Sequence, residues 1–367
     1  MATLKKIKLI FILPDLKSGG AERVMSFIAN NISKEKFETS LWLAGSDKLT
    51  AYTINSIDIK YFNKKRVLHA IPNFFFSLLK TKPDIVIGSI AHVNTAIALL
   101  SLLFPKTKFI GREANVMSVV KNYKPTKARM GKLIPITYSY KFLDLILCQS
   151  QDMYLDMKST FNFPSNKLRI INNPITDNFN LKPEKIKLNA PVQFITVAQL
   201  KKQKGHKRII KTLAKLNLNY HYTIIGKGPE EDEIYKMIKT FDLDDKITHI
   251  PFTKEVNKFL ANSDFFLQGS YVEGFPNCLI ESCAVGTPVL AYKAPGGLDE
   301  IIEEGINGLI ATNDDEYLQN IIKAIKEIKW ESKKIRESVY KKFNKEHILK
   351  QYEDLFLEVY NINKIEY

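Results

Sequence analysis

The sequence predicts an α/β protein built from two doubly wound halves, each a parallel sheet with helices on both faces. Three observations predict it. Short apolar runs alternate with longer amphipathic segments; the alternation stops once, at Leu168–Pro191, where Asn, Pro and Lys crowd together; and the same rhythm then restarts.

In the first half "KIKLIFIL", "TSLWLA", "DIVIGSI", "KFIGRE" and "DLILCQS" read as buried strands, separated by helix-length stretches such as "AERVMSFIANNIS". The opening "MATLKKIKLIFIL" imitates a secretory leader. However, Lys8 interrupts its apolar run and "PDLKSGG" turns the chain at once, so it is read as the first strand. Leu168–Pro191 is the linker candidate. Beyond it "VQFITVAQL", "YHYTIIG", "KITHIPF", "DFFLQGS", "TPVLAY" and "NGLIA" are strands by the same criteria, with "KGHKRIIKTLAKL" and "PEEDEIYKMIKTF" as helices. The expected division is residues 1–175 and 176–345. The amphipathic tail 346–367 is expected to pack back on the first half. Ligands of such sheets collect beyond the carboxyl ends of the strands, so the expected site is a cleft faced by both halves.

At 367 residues and 45% hydrophobic content the chain can bury two cores. Its 54 Lys and Arg against 39 Asp and Glu leave a net charge of +15, which calls for an anionic partner: nucleic acid, a phosphorylated small molecule or an acidic membrane surface. No recognisable nucleic-acid module accompanies the charge. Cys148, Cys278 and Cys283 lack paired spacing, which suits a reducing compartment and small core residues. The apolar run Thr95–Phe104 ends at Pro105, far short of the roughly 20 residues a spanning helix needs.

Three stretches could carry chemistry. In "LPDLKSGGAERVM" a strand ends at Gly19 and Gly20 and a helix follows, allowing close backbone approach to a ligand at a helix start. It is not a dinucleotide fingerprint, and "IIGKGPEEDE" places Glu231 where the third glycine would stand. In "VAQLKKQKGHKRII", Lys201, Lys202, Lys204, Lys207 and Arg208 gather where a strand gives way to a helix, a setting that favours a diphosphate; a solvated basic face is the alternative. In "SYVEGFPNCLIESCAVG" a turn-rich loop holds Glu273, and a helix beginning near Pro276 or Asn277 holds Glu281. Two carboxylates flanking backbone amides suit a ligand with phosphate in its middle and hydroxyl-rich ends. The Asp-x-Asp of Asp242–Asp245 reads as a helix-ending loop, and the six histidines, His92 and His206 among them, show no ligand spacing.

"EGFPNCLIE" resembles the E-x7-E motif of retaining nucleotide-sugar glycosyltransferases with the GT-B fold, a family that includes bacterial capsule, lipopolysaccharide and N-glycan assembly enzymes. "SGGAERV", "INNPI", "QKGHKRII", "IIGKGPEEDEI", "VGTPVLA", "APGGLDEII" and "NGLIA" stand in the family's order along nearly the whole chain. The resemblance implies two Rossmann-like domains facing a cleft, the first for the acceptor and the second for the donor.

By the same resemblance Glu281 holds the ribose hydroxyls and Glu273 touches the transferred sugar. Gly274, Phe275, Pro276, Asn277, Cys278 and Leu279 contribute backbone contacts, and Lys204 binds the departing diphosphate. Gln199 stands where the family usually has an arginine, which removes one cation from that site. Phe252 and Thr253 match the segment that lines the base. Gly19, Gly20 and Glu22 match the loop facing the reaction centre. Arg112, Glu113 and Asn115 occupy the stretch where many relatives carry a histidine near the sugar. The implied reaction moves a hexose or N-acetylhexosamine from a UDP-sugar to a lipid-linked saccharide with retention, using no metal or other cofactor and acting by positioning and electrostatics. Two rival readings remain: a sugar-nucleotide-binding subunit without turnover, and a sugar-nucleotide epimerase. "KKRVLHAIPNFFFSLLKTK" and "KNYKPTKARMGKLIPITYSYKF" combine cations with aromatics, as segments that lie on acidic lipid do, so the expected place is the cytoplasmic face of the cell membrane; ordinary helix packing with solvated lysines is the alternative.

Overall fold

The computed structural model describes all residues except 1–4, 18, 48–49, 51–53, 124–135, 184–189 and 366–367. The chain divides into two compact units: residues 1–118, 124–176 and 345–367 form the first, and 119–123 with 177–344 form the second.

The first unit is a parallel sheet in the order β3-β2-β1-β4-β5-β6-β7. Its strands are β1 (Ile7–Leu13), β2 (Phe37–Leu43), β3 (Asp58–Tyr61), β4 (Ile85–Ser89), β5 (Lys108–Arg112), β6 (Leu145–Cys148) and β7 (Leu168–Ile170). β1 lies at the centre, covered on both faces, which is why its sequence is nearly continuously apolar. Among the described residues, the main helices before the linker are α1 (Gly20–Asn31), α2 (Val67–Thr81) and α3 (Ala91–Ser101).

The second unit repeats the plan in the order β10-β9-β8-β11-β12-β13. Here β8 is Val192–Val197, β9 Tyr220–Ile225, β10 Ile247–Ile250, β11 Phe265–Gln268, β12 Val289–Tyr292 and β13 Gly308–Ala311. Its longer helices are α4 (His206–Ala214), α5 (Glu231–Thr240), α6 (Asn277–Ala284), α7 (Asp314–Lys326) and α8 (Ser332–Phe343). A last helix, α9 (Lys345–Ile365), belongs to the first unit. Its stripe of Ile348, Tyr352, Leu355, Phe356 and Val359 follows helical spacing and joins the core built on Leu9, Phe11 and Phe37. The Phe356 ring meets Phe11 and Phe37 edge-on at 6.2 and 6.0 Å.

Two strands depart from the sequence expectation. The linker candidate opens with β7, which pairs with β6. At three residues, Leu168–Ile170 is too short for periodicity to register. β3, "DIKY", is an edge strand with two exposed residues and no apolar run to announce it. The later part of the linker is held along the second unit, where Lys182 Nζ donates to Ser263 O and Thr287 Oγ1 at 3.1 and 3.2 Å.

Candidate functional site

In the second sheet β8 and β11 are neighbours, yet the chain leaves them toward opposite sheet edges. That is the topological switch point, and the loops beyond the carboxyl ends of these two strands are where such sheets bind ligands. The loop after β8 carries Gln199 and Lys204; the loop after β11 carries Glu273. The two touch backbone to backbone. A Cβ on Gly205, whose φ is +61°, would lie 1.7 Å from the Gly269 carbonyl oxygen, so only glycine allows the approach. The loop after β12 closes the third side. Glu273 N donates to Pro295 O at 2.9 Å, and a Cβ on Gly296 would fall 2.4 Å from the Glu273 carbonyl carbon.

Glu273 is thus fixed through its backbone and enters a dense polar cluster through its side chain. Lys204 Nζ donates to both carboxylate oxygens, at 2.6 and 2.7 Å. Ser270 Oγ donates to Oε1 at 2.5 Å, and Gln268 Nε2 reaches the same oxygen at 3.4 Å. The side chains of Lys204 and Glu273 are only 19% and 8% exposed. Burial would lower the Lys204 ammonium, but the Glu273 carboxylate, helped by the Cys278 sulfur, outweighs it and holds the lysine above its ordinary value.

Helix α6 starts at Asn277 after Pro276, without a side-chain cap. Glu281 stands just over one turn inside it and is buried. Among the main-chain groups expected to face a ligand, Leu279 N–H is committed to Pro276 O at 3.0 Å. Gly274 and Pro276 are buried, and the Phe275 ring packs inward against Phe343 at 5.2 Å. Asn277 and Cys278 are half-buried, so Cys278 is not the core residue expected of it; Cys148 and Cys283 are buried.

The basic cluster separates by side-chain contacts. Lys207 pairs with Glu233 at 2.9 Å and Glu230 at 3.7 Å. Arg208 donates to the carbonyls of Gly269 and Ser270. Lys201 and Lys202 are exposed. The Gln199 side chain is exposed as well, while its carbonyl accepts from His206 Nε2 at 3.1 Å and from Lys201 N at 2.9 Å. His206 is buried; that burial, with the Lys204 charge nearby, lowers its imidazole to about 4 against the weaker opposing effect of the Gln199 bond. Phe252, 62% exposed, and Thr253 follow β10 at the sheet edge, two strands from β8. Asp242–Asp245 is the turn after α5, with Asp242 at φ +52°.

In the first sheet the corresponding switch lies between β1 and β4. Gly19 precedes α1, and a Cβ there would lie 2.1 Å from Glu22 Oε2, because the Glu22 side chain folds back over it. Gly20 is exposed and opens the helix. His92, in the first turn of α3, is exposed. At the end of β5 the expectation needs correction. Arg112 has no exposed surface: its guanidinium bonds Tyr352 Oη at 3.1 Å, Ser89 Oγ at 3.2 Å and Asn173 Oδ1 at 2.5 Å, tying α9 to the strand ends rather than facing a sugar. Glu113 is also interior, accepting from Tyr140 Oη at 2.7 Å and Ala114 N at 2.9 Å. Asn115 is half-buried in the turn that follows.

Sequence reasoning passed over Ser270, Gln268, Gly296 and the structural use of Arg208. Gly296 lay inside a quoted motif, "APGGLDEII", but its closeness to Glu273 depends on β12 lying beside β11, which no local pattern shows.

Residues 178–342 match the model of the glycosyl transferases group 1 family. An N-acetylgalactosamine-N,N'-diacetylbacillosaminyl-diphospho-undecaprenol 4-alpha-N-acetylgalactosaminyltransferase of Campylobacter jejuni is 29% identical over 322 residues, covering 84% of this chain and 87% of the relative. The second unit thus carries a glycosyl transferases group 1 domain. An uncharacterized glycosyltransferase of Haemophilus influenzae is 24% identical over 88% of the chain and 90% of the relative. Among solved structures, the chain superposes on the apo lipopolysaccharide outer core galactosyltransferase WaaB with a TM-score of 0.76 at 18% identity, covering 96% and 99% of the two chains. Anabaena HepE, solved with UDP and glucose, superposes with a TM-score of 0.78 at 17% identity, covering 95% and 99%. The chain has the GT-B fold, two parallel-sheet Rossmann-like domains.

Proposed function

We propose that the protein transfers a hexose or N-acetylhexosamine, with retention, from a UDP-sugar to a saccharide carried on a lipid diphosphate in cell-surface glycan assembly. The observation that carries this is the buried Lys204–Glu273 pair at the switch point of a group 1 domain. The Campylobacter relative, whose name includes a diphospho-undecaprenol acceptor, and the UDP complexes of HepE support the substrate classes.

In this reading the diphosphate enters beside Lys204 and the start of α6, where the ammonium and main-chain amides neutralise it as it leaves. Glu281 holds the ribose, Phe252 and Thr253 the base, and Glu273 the sugar near its reacting carbon. The bond from that carbon to the phosphate oxygen breaks; the acceptor oxygen bonds from the same face; its proton passes to the departing phosphate oxygen. No metal is required, because Lys204 and the amides supply the positive charge. The first unit takes the acceptor, through Gly19, Gly20 and Glu22. Incubation with UDP-sugars and a synthetic polyprenyl-diphosphate saccharide, with and without EDTA, tests this. Acceptor-dependent UDP release with a retained product linkage is expected. An altered free sugar nucleotide means epimerisation, and binding without turnover means a non-catalytic subunit.

The protein is further proposed to work at the inner face of the cell membrane. Residues 59–143 contain fifteen Lys and Arg but only two acids, Asp84 and Glu113, so this stretch carries +13 of the +15 net charge. Part of it, 124–135, lies outside the described residues. On the remainder Leu68, Phe76 and Leu79 of α2, Leu102 and Leu103 after α3, and Phe142 are exposed. Phe75 links Phe76 and Phe104 through ring contacts of 5.4 and 5.6 Å, and Ser101 Oγ donates to Phe142 O at 2.9 Å, so the pieces adjoin. An apolar face within a stretch so poor in acids suits anionic lipid. Salt-sensitive sedimentation with phosphatidylglycerol vesicles, lost in the Phe76→Glu/Leu103→Glu double variant, is expected. Equal sedimentation with phosphatidylcholine vesicles refutes it.

A further inference from the structure

Arg208 lies against two stacked pairs of tyrosine rings. The ring of Tyr123 lies parallel to Tyr271 at 5.4 Å and 15°. The Arg208 guanidinium carbon sits over the Tyr271 ring at 4.1 Å and over the Tyr292 ring at 3.9 Å. Tyr292 in turn stacks on Tyr317 at 4.0 Å and 18°. The far end is pinned: Tyr292 Oη donates to Asp314 Oδ1 at 3.0 Å, and Tyr317 Oη to Leu290 O at 3.0 Å. In the plane of the guanidinium, Nε donates to Gly269 O at 2.7 Å and Nη2 to Ser270 O. Tyr271 N is tied to Gln203 O at 2.8 Å, next to Lys204.

The side chain therefore grips one short segment three ways, through two successive carbonyls and the ring of the third residue. That segment runs directly into Glu273. Ser270 donates to Glu273, Glu273 accepts from Lys204, and Arg208 springs from the helix that Lys204 introduces, so it fastens the two loops of the switch point together. A planar cation with a fork of donors is needed for this, and lysine supplies neither the delocalised plane nor the fork.

We propose that Arg208 is a positioning residue for sugar transfer: it holds Gly269–Tyr271 against the start of α4, so that Ser270 keeps the Glu273 carboxylate turned onto Lys204. It acts without touching the diphosphate. The proposal rests on Lys204 and Glu273 being the transfer pair.

The test uses the full chain with the most active of UDP-N-acetylgalactosamine, UDP-N-acetylglucosamine, UDP-galactose and UDP-glucose, a polyprenyl-diphosphate saccharide, and UDP alone as the binding probe. Assays run at a temperature where circular dichroism shows each variant folded. Arg208→Lys is expected to lower kcat about 10- to 100-fold, with KM for the donor and Kd for UDP within about threefold of the parent. Tyr271→Ala is expected to lower kcat in the same way, and Tyr271→Phe, which keeps the stacked ring, to restore it. An unchanged kcat in Arg208→Lys overturns the proposal. So does a loss carried by KM and by UDP affinity, which makes Arg208 a diphosphate ligand. If Arg208→Lys does not fold, equal kcat in Tyr271→Ala and the parent overturns it. Full turnover in Glu273→Ala sinks the transfer-pair reading itself; an inactive Glu273→Ala beside a fully active Arg208→Lys sinks only the role of Arg208.

Discussion

Glu273→Gln separates the electrostatic role of this carboxylate from its shape. In the parent, Lys204 Nζ lies within 2.7 Å of both Glu273 oxygens, with the two side chains 19% and 8% exposed. At an effective dielectric of about 20, two unit charges 4 Å apart attract by about 4 kcal/mol. Much of that offsets the desolvation of the pair, but removing one partner leaves a mostly buried ammonium uncompensated. Because some solvent reaches Lys204, a net loss of about 2 kcal/mol is expected, below the 3–5 kcal/mol of a fully buried pair. For a unit of this size that corresponds to about 4–8 °C in Tm. The Lys204 ammonium is held above its ordinary value in the folded state. Its contribution is therefore fully present below the unfolded lysine value and lost only as pH rises through the raised one, so the deficit should be the same at pH 7 and pH 9. UDP supplies the missing negative charge, so it should bind the variant at least as tightly as the parent and raise its Tm more. Transfer should fall by about 100-fold or more. Calorimetry, UDP titration and acceptor-dependent UDP release measure the three quantities. Turnover within about threefold of the parent, or a collapse of UDP affinity parallel to turnover, would refute the reasoning.

His206, lowered to about 4 in the folded protein, takes up a proton in the unfolded chain first, so stability should fall by about 3 kcal/mol as pH drops from 6.5 to 4. His206→Gln should flatten that part of a pH series of urea melts; an unchanged slope counts against it. Gly296→Ala places a Cβ 2.4 Å from the Glu273 carbonyl at φ +122° and should cost about 2–3 kcal/mol in urea melts while displacing Glu273 enough to abolish transfer. Normal stability and turnover in that variant would show that the β12 loop gives way freely.

How much was legible follows from the range over which each signal acts. The strands of both sheets other than β3 and β7 were visible because a strand buried on both faces must be a continuous apolar run. β7 escaped because three residues carry no periodicity. The start of α6 was readable from Pro276 and Asn277, and with it the places of Glu273 in a loop and Glu281 inside a helix. What a single stretch cannot disclose is its neighbour across the sheet. That Gly296 would support the Glu273 backbone, and that Arg208 would meet tyrosines 63 and 84 residues later (271 − 208 and 292 − 208), depend on the strand order β8-β11-β12. Arg112 was placed near the sugar by the resemblance alone, and the return of α9 with Tyr352, which gives it a buried partner, leaves no mark in the local sequence.

Gln199 can be examined in the same terms. The fold uses this position through its main chain, since its carbonyl accepts from His206 and Lys201, and the side chain is exposed. Nothing in the packing therefore requires glutamine, and a longer cation fits without disturbing β8 or α4. In the reading above Lys204 faces the diphosphate alone and must first loosen its grip on Glu273. Arginine at position 199 adds a second cation beside the same anion. A charge-assisted hydrogen bond contributes about 1.5–3 kcal/mol when shielded, and solvent screening at an exposed position reduces this to about 1 kcal/mol. Gln199→Arg should therefore tighten UDP binding about fivefold at low salt. The gain should shrink as ionic strength rises and the Debye length falls to about 8 Å at 0.15 M. Uridine, which lacks the phosphates, should bind both forms alike. If UDP affinity is unmoved at low salt, or if uridine gains as much as UDP, the diphosphate does not lie beside the loop after β8, and the assignment of Lys204 falls with it.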